Sequence, residues 1–255
     1  MTQAGKPNAP RLDWSRALPR VTVRRSAVPK LVTIVMPFYE NQHFFEQQVD
    51  LWRAWASDLK PYVSAIVVDD GSPVEARLPT SLPFPIRLFR IEVDVRWNWL
   101  AARNIGAFHA SPGWLVMTDM DHVIPPETVR ALIFGQHDPL VAYAFSRREN
   151  TGEAINPHSA SFFLTRELFW RVGGYDERLS GYYGTDGIYR RRLMERATVH
   201  VLADELVRHE NLGDSSTVRY GRKEAQDATA KRLAERYARL PKPKTLSFPY
   251  HEVGA

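Results

Sequence analysis

"SAIVVDDGS", residues 64–72, runs an apolar, β-branched segment straight into two adjacent carboxylates and a glycine turn. Such a run reads as a buried strand of a parallel sheet, with the aspartates at its carboxyl end. "WLVMTDMDH" (114–122) ends the same way, as a second acid-tipped strand over 114–119. Upstream, "LVTIVMP" (31–37) is another buried strand, closed by proline, and "IRLFRIEV" (86–93) a further one. Helical periodicity fills the gaps. Phe45, Val49, Trp52 and Ala56 recur on one face of 41–57, with Asn41 placed to cap it. "NWLAARNIGAFHA" (98–110) reads as a helix, and so does "PETVRALIFG" (126–135), with proline near its start and glycine at its end. Strand alternating with helix predicts an α/β domain: a mostly parallel central sheet, helices on its faces and right-handed crossovers.

The second half is less regular. "LVAYAFS" (140–146) and "SASFFLT" (159–165) read as strands, with a short helix over 166–172. "GGYDERLSGYYGTDG" (173–187) reads as a long glycine-rich loop, and 188–196 as a helix. A last helix is expected over 219–240, where Asp227, Lys231, Glu235 and Arg239 form an i,i+4 ladder suited to an exposed face.

With 255 residues, 44% of them hydrophobic and 25% charged, the chain has the composition of a soluble globular protein with length for a full core. It has no cysteine, so disulfides and thiolate metal sites are excluded. No run approaches the length of a membrane span and no signal peptide is read at its start, so a cytoplasmic protein is expected. Charge is unevenly spread. Residues 1–30 carry seven basic side chains against Asp13 alone, and residues 216–255 nine against four acids. Given the net charge of +5, the centre, 31–215, is left at −6. Residues 1–30 read as a basic extension outside the core. Such an arm is either a solvated tail or a peripheral contact for anionic membrane or another polyanion. Specific nucleic-acid binding is not expected.

Ligands of an open parallel sheet bind beyond the carboxyl ends of its strands, so Asp69–Asp70 and Asp119/Asp121 should converge on one crevice. Carboxylates gathered at one edge repel one another and call for a cation or a donor-rich ligand. Hard oxygen donors suit Mg2+ or Mn2+, ions that commonly bridge protein carboxylates to phosphates. Neither a G-x-x-x-x-G-K-[ST] loop nor a G-x-G-x-x-G after the first strand is present. A bound nucleotide would therefore have its phosphates held by metal and side chains.

"VMPFYEN", "VVDDGS", "AARNIGA" and "DMD", in that order, resemble the GT-A nucleotide-sugar glycosyltransferases, family 2 in particular. "GGYDE" and "GYYGTDGIYRRRL" resemble the acceptor-side segment of the galactosyltransferase-type C-terminal domain, and the whole likeness covers about 31–212. It implies a Rossmann-like GT-A fold: a single domain over 31–215, with the extension 1–30 before it and a C-terminal helix and tail over 216–255. The implied reaction is metal-dependent, inverting transfer of a sugar, of hexosyltransferase class, from a nucleotide-sugar donor, usually a UDP-sugar. The acceptor is a hydroxyl of a glycan or another molecule.

By the same resemblance, Pro37, Tyr39 and Glu40 line the nucleotide, and Asp69 or Asp70 accepts from the base. Arg103 lies close to the nucleotide. Asp119 meets ribose or metal, Asp121 ligates Mn2+ or Mg2+, and His209 completes the metal shell. Asp186 is the general base. Thr185 stands where the family carries the first acid of an acidic pair. His122 is a rival ligand or a support for the metal ligands. Tyr182 and Tyr183 would stack on the acceptor, and Arg192 faces the site from a helix whose other arginines are solvated. Trp97 and Trp99 either join them or fill the core. Two other readings remain: a catalytically degenerate GT-A domain that binds glycans, and a metal-dependent phosphohydrolase with an aspartyl nucleophile.

Overall fold

A computed structural model describes residues 14–26, 28–182, 184–208 and 242–254, with Arg232, Glu235 and Arg236 as separate helical positions. The helix expected over 219–240 and its charge ladder, His209 and Tyr183 lie outside the described residues.

One sheet organises the chain. Its order is β1 (Arg20–Val21), β10 (Thr198–Arg208), β7 (Val141–Glu149), β9 (Phe162–Thr165), β5 (Trp114–Met117), β2 (Val32–Phe38), β3 (Val63–Asp69), β4 (Ile86–Ile91) and β11 (Tyr250–Glu252). Strands β5, β2, β3 and β4 run parallel, as do β1, β10 and β7; β9 is antiparallel to both of its neighbours and β11 to β4. The hairpin-like additions β6 (His122–Val123) and β8 (Ala154–Ile155) pair with β10 and β7. The expected α/β domain with a mostly parallel sheet is what forms.

Both faces are covered, which is why the central strands read as near-continuous apolar runs. Ile34, Met36 and Phe38 of β2 face one core with Phe45, Val49 and Trp52 of α1 (Gln42–Arg53) and Leu132 of α3 (Pro126–Phe134). Val35 faces the other, shared with Ile105 of α2 (Trp99–His109), Phe169 of α4 (Arg166–Val172) and Tyr189 of α5 (Asp186–Arg196). Helix α1 stops at Arg53, short of the expected residue 57, because its last turn tightens. Ala54 and Trp55 donate to Leu51 and Trp52, three residues back, and Trp55 turns into the core against Trp52 and Phe84.

Two termini depart from the expected picture. Residues 14–26 are stitched to the domain: β1 extends the sheet beside β10, Arg25 bridges Gly135, and Trp14 packs on Phe162. A two-residue strand is too short to leave a periodic signature. At the far edge, Tyr250–Glu252 adds β11, with Glu252 accepting both Nε and Nη2 of Arg87 at 2.7 Å. The long strand β10 went unread because its polar positions Asp204 and Glu205 interrupt the apolar run at a register shift between Leu202 and Glu205.

Helix α2 lies so close to β2 that a Cβ on Gly106 would meet Val35 Cγ1 at 2.3 Å. Gly106→Ala is therefore expected to destabilise the fold by about 1–3 kcal/mol, the usual cost of overpacking, despite alanine's higher helix propensity. A urea titration checks this; an unchanged midpoint would mean the helix withdraws freely.

Candidate active site

The turn after β3 explains the glycine in "VVDDGS". Gly71 sits at φ 93°, and a Cβ there would lie 2.2 Å from the Val93 carbonyl oxygen, so only glycine fits. Asp69 is fully buried and accepts from Ser72 N at 2.8 Å, Ala76 N at 3.1 Å and Arg90 Nη1 at 2.6 Å. Its carboxylate builds this loop. Asp70, the other aspartate expected to meet the base, follows Asp69 at the same strand end and is also buried. Ser72 Oγ then takes the Glu40 amide at 2.9 Å, and Tyr39 Oη donates to Asp94 at 3.1 Å, which gathers the ends of β2, β3 and β4 into one wall. Pro37 is half-buried and Glu40 exposed on that wall.

Asp119, Asp121 and His122 follow β5 and each bring a ligand atom within 4.8 Å of the other two. Gln48 of α1 holds their turn by donating to the carbonyls of Met120 and His122, both at 2.9 Å. Arg103 is wholly buried, and its guanidinium donates to Asp119, to Tyr175 Oη and to the Ala160 carbonyl while lying over the Trp99 ring. Arg103, expected close to the nucleotide, is enclosed here and orients Asp119. Burial opposes the charge on Asp119, yet the Arg103 guanidinium outweighs it and holds the carboxyl below its ordinary range.

Asp121 is treated alike. Burial is overcome by the hydrogen bond from the His122 ring, with the Arg208 charge behind it, and its pKa falls well below the usual value. Arg147 Nη1, which can only donate, lies 3.0 Å from His122 Nε2, so the ring accepts there and carries its proton on Nδ1. That Nδ1–H donates to Asp121 at 2.6 Å. In this tautomer His122 orients Asp121, while its ring also stands within reach of an ion held by Asp119 and Asp121. Two ionised carboxylates with hard oxygens fit Mn2+ or Mg2+.

His158 was not foreseen, since a lone histidine in "INPHSAS" carries no sequence signal. Its Nδ1 lies 3.3 Å from Asp119 Oδ2, and burial pushes its pKa down to about 4, against the pull of Asp119, leaving it neutral at pH 7. The next residue, Ser159, donates to Asp186 Oδ2. One short loop thus touches the D-x-D acid on one side and the first residue of α5 on the other.

Around that helix start, the two other acids are committed. Glu177 is buried and accepts from Asn104 Nδ2 and Leu246 N at 2.7 Å and from Ser247 N at 2.6 Å. Asp176 caps the 3-10 turn 177–179 and pairs with Arg178. Arg192, expected to face the site, is half-buried, donates to the Gly174 carbonyl and packs beside Tyr189. Tyr182 is half-buried on the loop. Trp97 is buried, and Trp99 packs edge-on against Tyr175.

Residues 33–197 match the sequence model of the family described as glycosyl transferase family 2. No curated protein matches the chain significantly in sequence. Among solved structures, it resembles the mannosyltransferase PcManGT from Pyrobaculum calidifontis, in complex with GDP-Man and Mn2+ (17% identity, TM-score 0.53, 86% of this chain and 73% of that one). It also resembles GalNAc-T7 with UDP, GalNAc and Mn2+ (16%, TM-score 0.60, 82% and 48%). A third likeness is to S. aureus TarS 1–349 with UDP-GlcNAc (14%, TM-score 0.55, 74% and 61%). The chain spans about 60% of the length of TarS 1–349 and about half of GalNAc-T7. At these identities the likeness is one of fold, GT-A in each case.

Proposed function

The chain belongs to glycosyl transferase family 2, and from that premise we propose that it is an inverting, metal-dependent transferase of hexosyltransferase class. It moves a sugar from a nucleotide donor, a UDP-sugar by preference, to a hydroxyl of a glycan or similar acceptor. The observation that carries this reading is the joining of two acid groups by one loop: His158 touches Asp119 while Ser159 donates to Asp186.

In the proposed site, Asp70, Pro37, Tyr39 and Glu40 receive the nucleoside. Asp121 and Asp119 are the metal ligands, with His209 joining them. The ion, when bound, offsets the charge of the diphosphate and eases departure of the nucleoside diphosphate. Arg103 keeps Asp119 ionised, and the hydrogen bond from His122 aims Asp121. Asp186 takes the proton of the acceptor hydroxyl as its oxygen bonds to the anomeric carbon and the bond to the phosphate oxygen breaks. Attack from the face opposite the leaving group inverts the centre. Tyr182 and Tyr183 hold the acceptor. Arg192, which also donates to the Gly174 carbonyl, contributes to the acceptor side. The linking of Asp186 to the D-x-D through one loop favours catalysis over a degenerate domain.

A thermal-shift panel of nucleotides and nucleotide sugars, with and without Mn2+, tests the reading, because a ligand of the native state raises the melting temperature. No stabilisation by any donor would refute it. The proposal includes a cytoplasmic enzyme held at an anionic membrane or polyanion by its basic flanks. Among the described residues no helix is long and apolar enough to cross a membrane. Because β1 belongs to the sheet, the arm is tested by charge rather than by deletion. Changing Lys6, Arg11, Arg16 and Arg24 together to Gln should weaken association with acidic liposomes at low salt and spare turnover on a soluble acceptor. Equal association across salt concentrations would make the arm a solvated segment.

A further inference from the structure

The sheet face beside Asp121 carries cations that the proposed reaction has not used. In the parallel pair of β7 and β10, Glu149 stands opposite Arg208, and β6 sets His122 opposite Arg208 on its other side. Paired residues share a face, and Arg147, two positions before Glu149, lies on that face too. Arg208 Nη1 donates to Glu149 Oε1 at 3.1 Å, which seats the guanidinium on a buried carboxylate. Its Nε stands 3.7 Å from Asp121 Oδ2, an ion pair too long for a hydrogen bond. Arg147 is fixed through His122 Nε2 and the Asn156 carbonyl, and burial followed by the charge of Arg208 lowers its pKa, so the two guanidinium groups sense each other.

Among the described residues, three arginines and three acids gather around the D-x-D. Arg103, Arg147 and Arg208 face Asp119, Asp121 and Glu149. A divalent ion on Asp121 adds two positive charges and competes with Arg208 for the same carboxylate. The diphosphate of a sugar donor adds two negative charges and restores the balance. Arg208 is about a third exposed, anchored at one nitrogen and only loosely paired at another, so it has donors to give to a phosphate oxygen.

We propose that Arg208, seated on Glu149 with Arg147 beside it, binds the diphosphate of the nucleotide donor and competes with the divalent ion for the Asp121 carboxylate. This rests on the glycosyltransferase reading and names the residue that takes the place of a phosphate-binding glycine loop.

The test compares wild type with Arg208→Gln, and with Arg208→Lys as the charge-keeping variant, at matched folding by circular dichroism. Calorimetry measures UDP and GDP at saturating Mn2+, competition measures uridine and guanosine, and electron paramagnetic resonance counts free Mn2+ without nucleotide. For Arg208→Gln, the nucleoside diphosphate that binds wild type should bind about tenfold or more weakly, the loss of one charge-assisted contact. Nucleoside affinity should stay constant, Mn2+ alone should bind as well or better, and lysine should recover part of the loss. Unchanged diphosphate affinity would overturn the inference, and so would an equal fall for diphosphate, nucleoside and Mn2+, which is the mark of a structural role. Wild-type protein that binds no nucleoside diphosphate would instead overturn the glycosyltransferase reading beneath it.

Discussion

Asp186→Asn should lower sugar transfer by about 10²–10⁴-fold, the range for a lost general base, while nucleotide affinity stays nearly unchanged. The position favours this. Asp186 is the first residue of α5, where the helix dipole favours a negative charge. The described contact of its carboxylate is a hydroxyl, Ser159 Oγ, which leaves lone pairs for an acceptor proton. Asp176 and Glu177, the nearest alternatives in sequence, are tied to Arg178 and to three amide nitrogens. Asparagine keeps the shape and still accepts from Ser159, so the loop should hold. Single-turnover transfer and nucleotide calorimetry separate the outcomes. Near-normal transfer in the Asn variant would put the base elsewhere. A parallel loss of donor binding would assign Asp186 to the metal shell.

Asp121→Ala should abolish the Mn2+-dependent part of nucleotide binding while the protein still folds. The carboxylate is partly exposed and its removal opens no core cavity, but it strands the buried Nδ1–H of His122. That costs about 1–3 kcal/mol, a visible yet survivable drop in melting temperature. The Mn2+-dependent thermal shift given by a donor in wild type should vanish in the variant, because stabilisation by a ligand follows its occupancy of the native state. Tight, metal-dependent binding that survives the change would remove the D-x-D from the site.

Each strand that tips the site announces itself locally. "LVTIVMP", "SAIVVDD" and "WLVMTD" are buried on both faces, so burial alone forces continuous apolar runs, and those runs mark β2, β3 and β5 to within about two residues. Helical periodicity marks α1, α2 and α3 for the same reason. The order of these elements, with aspartates at strand ends, was enough for an α/β sheet and a carboxylate-lined crevice. Recognition as a glycosyltransferase came from motif resemblance rather than from periodicity.

Partner choice was not legible. Asp69 and Asp70 are neighbours with the same side chain, and nothing local says that Arg90, 21 positions on, would consume the first. Nothing local says that the Ala160 carbonyl, Tyr175 and Asp119 would close around Arg103 from elements far apart in the chain. His158 and Arg208 belong to the site only because β7, β9 and β10 are laid beside β5 by pairings between distant segments. The sequence by itself determined which segments are strands, which are helices and where acids end them, since burial and backbone geometry act on neighbours along the chain. The tertiary structure decided which partners each acid meets, because a charge is settled by whatever counter-charge lies nearest in space.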